Sequence, residues 1–140
     1  MEKSLILVPI DFTDESMFTV EQSFKLAKTI NSQIVLLHVI QNTSSFFDFL
    51  IKDKDNDISQ KIENEITNKL KSIAEKYTEE KNINVQYILE HGKVYNKILE
   101  IAKRFNVKFI VIGKNTKTSN NRFIGSNTLT VIRQSSIPVL

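Results

Sequence analysis

Hydrophobic positions along the chain fall into two kinds of run. Short continuous ones lie at Leu5 to Val8, Ile34 to Ile40 (IVLLHVI) and Phe109 to Ile112, the last within a strand expected from Val107 to Ile112. They lack the polar alternation of a half-exposed strand, so they predict strands buried on both faces. Ile83 to Glu90 alternates through Val85, Tyr87 and Leu89, which predicts a third strand nearer an edge. Ile137 to Leu140 predicts a fifth, very short one. Between these runs, apolar residues recur at three- and four-residue steps. Met17, Val20, Phe24, Ala27 and Ile30 form one stripe; Ile58, Ile62, Ile66, Leu70, Ile73 and Tyr77 form a longer one. Val94, Ile98, Ile101, Ala102 and Phe105 form a third, and a last helix is expected from about Gly125 to Gln134. Thr13 is placed to cap the first helix, whose first turn carries Asp14 and Glu15. Gln41 to Asp57 is the least regular stretch, and Phe46 to Ile51 suggests a short flap over core or a dimer surface.

Strand and helix alternate throughout. That order predicts an α/β domain over residues 1–140, a doubly wound five-stranded parallel sheet with helices on both faces. Ligands in such sheets sit beyond the carboxyl ends of the strands, where strand order reverses. Asp11, Val39 and Gly113 each lie at or just past the end of a buried run, so one rim is expected to hold all three.

Composition narrows the classes. A chain of 140 residues suits one domain with a two-sided core. The net charge of +3 comes from acidic and basic residues mixed along the chain, which gives no nucleic-acid or membrane footprint. No run approaches membrane-spanning length, and Pro9 and Asp11 interrupt an N-terminal run too short for a signal segment. Zero cysteines fit a reducing compartment, so a cytoplasmic location is expected.

The stretch richest in chemistry is Phe109 to Asn127, FIVIGKNTKTSNNRFIGSN. An apolar run stops at Gly113, where a sharp turn is expected, and Gly125-Ser126 stands ahead of a helix as a generic anion seat. Lys114, Lys117 and Arg122 lie between the glycines with no carboxylate among them. The same composition also fits a solvated connection. Asp11 would either meet a ligand or accept from loop amides. His38, inside a buried run, reads as a hydrogen-bonded core residue, and His91 beside Gly92 as a turn residue. Two distant histidines make a poor metal site, so Mg²⁺ is expected only together with a nucleotide.

At ILVPIDFTDES, IVLLHVI and IGKNTKTSNNRFIGSNTLTVIRQSSIPVL the sequence resembles the universal stress protein family, and the likeness runs over nearly the whole chain. The resemblance implies a flavodoxin-like fold akin to the adenine nucleotide alpha hydrolases, usually dimeric, with ATP in the crevice of its nucleotide-binding branch. It places Asp11, after Pro9, at the adenine or ribose, and the backbone around Val39 at the adenine edge. Gly113, Gly125, Ser126 and the Asn127 amide would approach the ribose and phosphates. The family's motif runs Gly, two residues, Gly, nine residues, then Gly-Ser or Gly-Thr. Here Thr116 stands where the second Gly belongs, and the spacing from it to Gly125 is one residue short. If that Gly is needed for a left-handed backbone, Thr116 costs roughly 1–2 kcal/mol, about five- to thirtyfold in affinity. Its hydroxyl is itself a phosphate donor.

The resemblance therefore implies a stress-response module that binds ATP or a related adenine nucleotide, with an unidentified protein partner. The alternative is a homodimeric scaffold without nucleotide, using the last strand and the Phe46 region. Enzyme readings are weaker. DFTDES holds neither clustered glycines nor the Ser-Gly-Gly loop of the related ATP pyrophosphatases. A receiver domain would need Asp where Leu89-Glu90-His91 stands. Slow hydrolysis of a bound triphosphate needs little more than a positioned water near Mg²⁺, and no residue for that task is identifiable.

Overall fold

The computed structural model describes residues 3–41, 57–113 and 121–140, apart from the side chains of residues 57–58 and 121–126. Four strands, β1 (Leu5–Pro9), β2 (Gln33–Ile40), β3 (Val85–His91) and β4 (Phe109–Ile110), form one parallel sheet in the order β3-β2-β1-β4. Four helices, α1 (Asp14–Ile30), α2 (Asp57–Lys81), α3 (Val94–Arg104) and α4 (Asn121–Gln134), pack on its two faces. The Phe46 to Ile51 flap, Lys114, Thr116 and Lys117 lie outside the described residues.

Period-two alternation divides the core. Ile6, Val8, Ile34 and Leu36 turn toward α1 and α2, where they meet Val20, Phe24, Leu70 and Tyr77. Leu7, Val35, Leu37 and Val39 turn the other way, onto Ile98 and Ile101 of α3 and Val131 of α4. Both faces are dry, which is why β1 and β2 carry apolar residues at successive positions. On the first face, the rings of Phe24 and Tyr77 stack with centroids 4.3 Å apart, tying α1 to α2. The Tyr77 hydroxyl donates to Glu21.

Local signals explain the helix ends. Thr13 accepts from the Ser16 N–H at 3.2 Å as the α1 cap. After α1 and α3 the chain turns through Asn31 (φ 56°) and Asn106 (φ 50°). The next amides, of Ser32 and Val107, reach back to the carbonyls of Ala27 and Ala102 at 2.8 and 3.1 Å. These are left-handed caps of the Schellman kind, with Asn in the place Gly usually takes.

Two expectations are corrected. Among the described residues the sheet has four strands, not five: 137–140 joins β4 through a single parallel bridge, Ile110 to Val139. Across it the Ile110 N–H donates to the Pro138 carbonyl at 3.0 Å, the Leu140 N–H to the Ile110 carbonyl at 2.8 Å and the Ile112 N–H to the Leu140 carbonyl at 3.0 Å. The last helix starts at Asn121 rather than near Gly125. Gly125 and Ser126 thus lie inside it, where an amide is committed to the carbonyl four residues back. The amides without an intrahelical carbonyl belong to the turn that begins at Asn121.

Candidate functional site

Strand order reverses between β1 and β4, and a cleft of about 200 Å³ lies beyond the carboxyl ends of the strands there. Its floor and walls are apolar, made by Ile10, Leu37, Val39 and Ile112 of the sheet side and by Val94 and Ile98 of α3. Pro9, Asp11, His38 and Gln41 border it on the sheet side, and Asn127 and Thr128 on the α4 side. Sites that enclose a whole drug-sized ligand usually measure about 300–1,000 Å³. This one would seat a single ring system and leave the rest of a larger molecule over the rim.

The strand backbone gives the cleft a polar edge. On β2, Ile34 N–H donates to the Asn84 carbonyl at 3.1 Å and the Ile40 carbonyl accepts from Gly92 at 3.0 Å, so even-numbered residues face β3. Odd-numbered ones face β1: Gln33 N–H donates to Ser4 at 2.8 Å, and the Leu37 carbonyl accepts from Ile10 at 2.8 Å. Val39 therefore turns both its N–H and its carbonyl toward β1, which has already ended at Pro9. One donor and one acceptor face the cleft side by side.

Asp11 turns inward upon its own loop. Its Oδ1 accepts from the Thr13 N–H at 3.0 Å and the Thr13 hydroxyl at 2.6 Å, while its N–H donates to Ser16 Oγ at 2.9 Å. This is the loop-bracing alternative expected from the sequence, at a residue that also borders the cleft. Between Asp11 and Thr13, Phe12 takes φ 65°, a left-handed conformation unusual for a bulky side chain.

Four of the expected residues, Pro9, Asp11, Val39 and Asn127, come together around the cleft. Gly113 does not join them there. A Cβ on it would lie 2.3 Å from Thr19 Oγ1 and 3.6 Å from the Glu15 carbonyl oxygen, so its bare backbone packs on α1, the opposite face from α3. Close approach of strand end to helix accounts for this glycine. Thr116 lies outside the described residues, and Gly125 and Ser126 sit in the body of α4. Sequence reasoning misses Gln41, Thr128 and the wall formed by Val94 and Ile98. By periodicity the last two are ordinary core; their place in the first turns of α3, directly after the β3 turn, is the signal that could have found them.

An open parallel sheet, helices on both faces and an apolar cleft at the switch point define a domain of the doubly wound α/β class. Comparison with known proteins gives the family. The sequence profile described as the Universal stress protein family matches residues 4–140, and the chain belongs to that family. It is 26% identical over 136 residues to Universal stress protein MJ0531 of Methanocaldococcus jannaschii, spanning 96% of this chain and 79% of that one. The solved structure of the protein designated MJ0577 superposes with a TM-score of 0.81 at 27% identity, covering 100% of this chain and 95% of the other. The Archaeoglobus fulgidus universal stress protein in complex with dAMP shares the fold, with a TM-score of 0.68, 18% identity, and 99% and 96% of the two chains covered. Among the described residues no helix is long and apolar enough to cross a membrane.

Proposed function

We propose that this chain is a stress-response regulatory module that binds ATP or a related adenine nucleotide in the cleft beyond β1 and β2. The observation that carries the reading is the Val39 edge: a backbone N–H and carbonyl turned toward β1 beyond its last pair, beside an apolar slot the size of one ring system. Adenine presents a ring acceptor and an amino donor that such an edge complements. The dAMP complex of a protein with this fold supports the ligand class. Asp11 and Asn127 would flank the ribose. A phosphate tail running back along α4 meets free amides at its first turn, about 9 Å from Asn127 at 1.5 Å per residue. Mg²⁺ would come with the phosphates. The role is binding rather than turnover, with nucleotide occupancy read by a partner protein.

Isothermal titration calorimetry with ATP and Mg²⁺ tests this. Heat of binding at or below millimolar ligand is expected; none, with protein shown to be folded, removes the reading.

A second reading rests on surface. Leu129 and Ile132, three residues apart on α4, are 51% and 52% exposed, and Leu140 on the segment bridged to β4 is 56% exposed. This apolar edge favours a homodimer acting as a scaffold without nucleotide. Light scattering across a concentration series decides it, and a monomer throughout would defeat it.

A further inference from the structure

The edge that Val39 offers exists because a ladder stops early. In a parallel pair, the rung after Ile10 N–H to the Leu37 carbonyl would run from Val39 N–H to the Ile10 carbonyl. Among the described hydrogen bonds that rung is missing, and the Ile10 carbonyl accepts from Nδ1 of His38 at 2.7 Å instead. A carbonyl can only accept, so Nδ1 carries the proton. By the alternation that turns Ile34 and Leu36 toward α1 and α2, the His38 side chain lies on that face, at the border of the cleft. There its ring meets Phe12 at 4.9 Å.

Phe12 completes the arrangement. Its φ of 65° carries β1 out of the sheet directly after Asp11. A bulky residue in that region is strained by about 1–2 kcal/mol and persists only where its surroundings over-determine it. The ring is held between His38 and the core of the α1–α2 face, with Lys69 Nζ 5.6 Å from its centroid. His38 and Phe12 brace one another at the point where the two strands part.

We propose that His38 is the positioning residue of the cleft: by occupying the Ile10 carbonyl it ends the β1–β2 ladder one rung early and holds the Val39 N–H and carbonyl open to a 6-aminopurine. This rests on the nucleotide reading for its ligand but not for its geometry. A 6-aminopurine offers N1 as acceptor and its amino group as donor. A 6-oxopurine reverses both groups, and a buried donor or acceptor facing its own kind rejects a ligand strongly. His38 thereby sets base specificity through the Val39 edge.

Amide hydrogen exchange by NMR on the ligand-free protein, combined with titration of adenosine and inosine, tests the proposal. In the wild type the Val39 amide should exchange far faster than those of Val35 and Leu37. In His38→Phe, which keeps a ring but has no donor, Val39 should gain at least about tenfold protection as the rung forms. Adenosine affinity should then fall by about tenfold, the size expected for losing such bonds, and the preference over inosine should shrink. His38→Asn, whose amide nitrogen takes the place of Nδ1, should behave like the wild type. Protection of Val39 equal to that of Leu37 in the wild type overturns the proposal, and this measurement needs no variant to fold. A His38→Phe protein with unchanged Val39 exchange and unchanged binding overturns it as well. Fast Val39 exchange that His38→Phe slows, with neither nucleoside binding the wild type, upholds the ladder role of His38 and refutes the nucleotide reading.

Discussion

Replacing Gly113 by Ala should destabilise the protein through one nameable contact. The added methyl would lie 2.3 Å from Thr19 Oγ1, far inside contact distance. Thr19 is buried and its hydroxyl donates to the Glu15 carbonyl at 3.0 Å, so it cannot swing aside without breaking that bond. Overpacking of this kind costs about 1–3 kcal/mol. At a urea slope of about 1.5 kcal/mol per molar, a 2 kcal/mol loss lowers the midpoint by over 1 M. The control is Thr19→Ala. Alone it removes a helix back-bond and improves helix propensity, so it should stay within about 0.5 kcal/mol of the wild type. In the double variant the nearest remaining neighbours of the new methyl are Thr19 Cβ at 3.4 Å and the Glu15 carbonyl oxygen at 3.6 Å, close to ordinary packing. Most of the lost stability should return, with a coupling of at least about 1 kcal/mol in the cycle. If the two substitutions simply add, within about 0.5 kcal/mol, the Thr19 hydroxyl is not what requires glycine at this strand end.

Three further outcomes are expected. Thr13→Ala removes the α1 cap and the bond to Asp11, and should cost about 1 kcal/mol in chemical denaturation. Asn31→Ala places an alanine at φ 56° and should cost about 1–2 kcal/mol, whereas Asn31→Gly should stay within about 0.5 kcal/mol, read by thermal melts of both variants. The Tyr77 hydroxyl, raised above its ordinary 10.0 first by burial and then by its bond to Glu21, should ionise last in a spectrophotometric titration. Because the folded state holds that proton more tightly, this contribution is present below pH of about 10 and fades as pH rises beyond it. Tyr77→Phe should flatten that alkaline loss while costing about 0.5–1.5 kcal/mol at neutral pH.

Much of the architecture is legible in the sequence because burial leaves a periodic trace. IVLLHVI has to be a strand dry on both sides, and the four-residue recurrence from Ile58 to Tyr77 has to be one long helix face. The edge position of β3 shows in its alternation, and its exposed Gln86 and Tyr87 confirm it. The start of α4 is not legible. A glycine inside a helix costs about 1 kcal/mol, so Gly125 reads as a boundary although it lies within the helix that begins at Asn121. The brevity of β4 and the reduction of the expected fifth strand to one bridge depend on pairing between distant segments, a matter of register that no local pattern carries. Asp11 and Val39 are placed at the rim by the ends of their buried runs, Pro9 and Asn127 by resemblance, and all four border the cleft. His38 reads as a hydrogen-bonded residue, which it is, but its partner lies 28 residues away and no local pattern names it.

The asparagines at the helix ends bear on a state that is not folded at all. Asn31, Asn82 and Asn106 each hold a positive φ, and the chain has three glycines in 140 residues. A glycine at such a position leaves the denatured chain freer, and a residue with a side chain narrows that freedom by about 0.4–1 kcal/mol where its native conformation is tolerated. Part of what keeps these turns in place therefore acts before any contact forms, by leaving the disordered polymer fewer shapes to wander among.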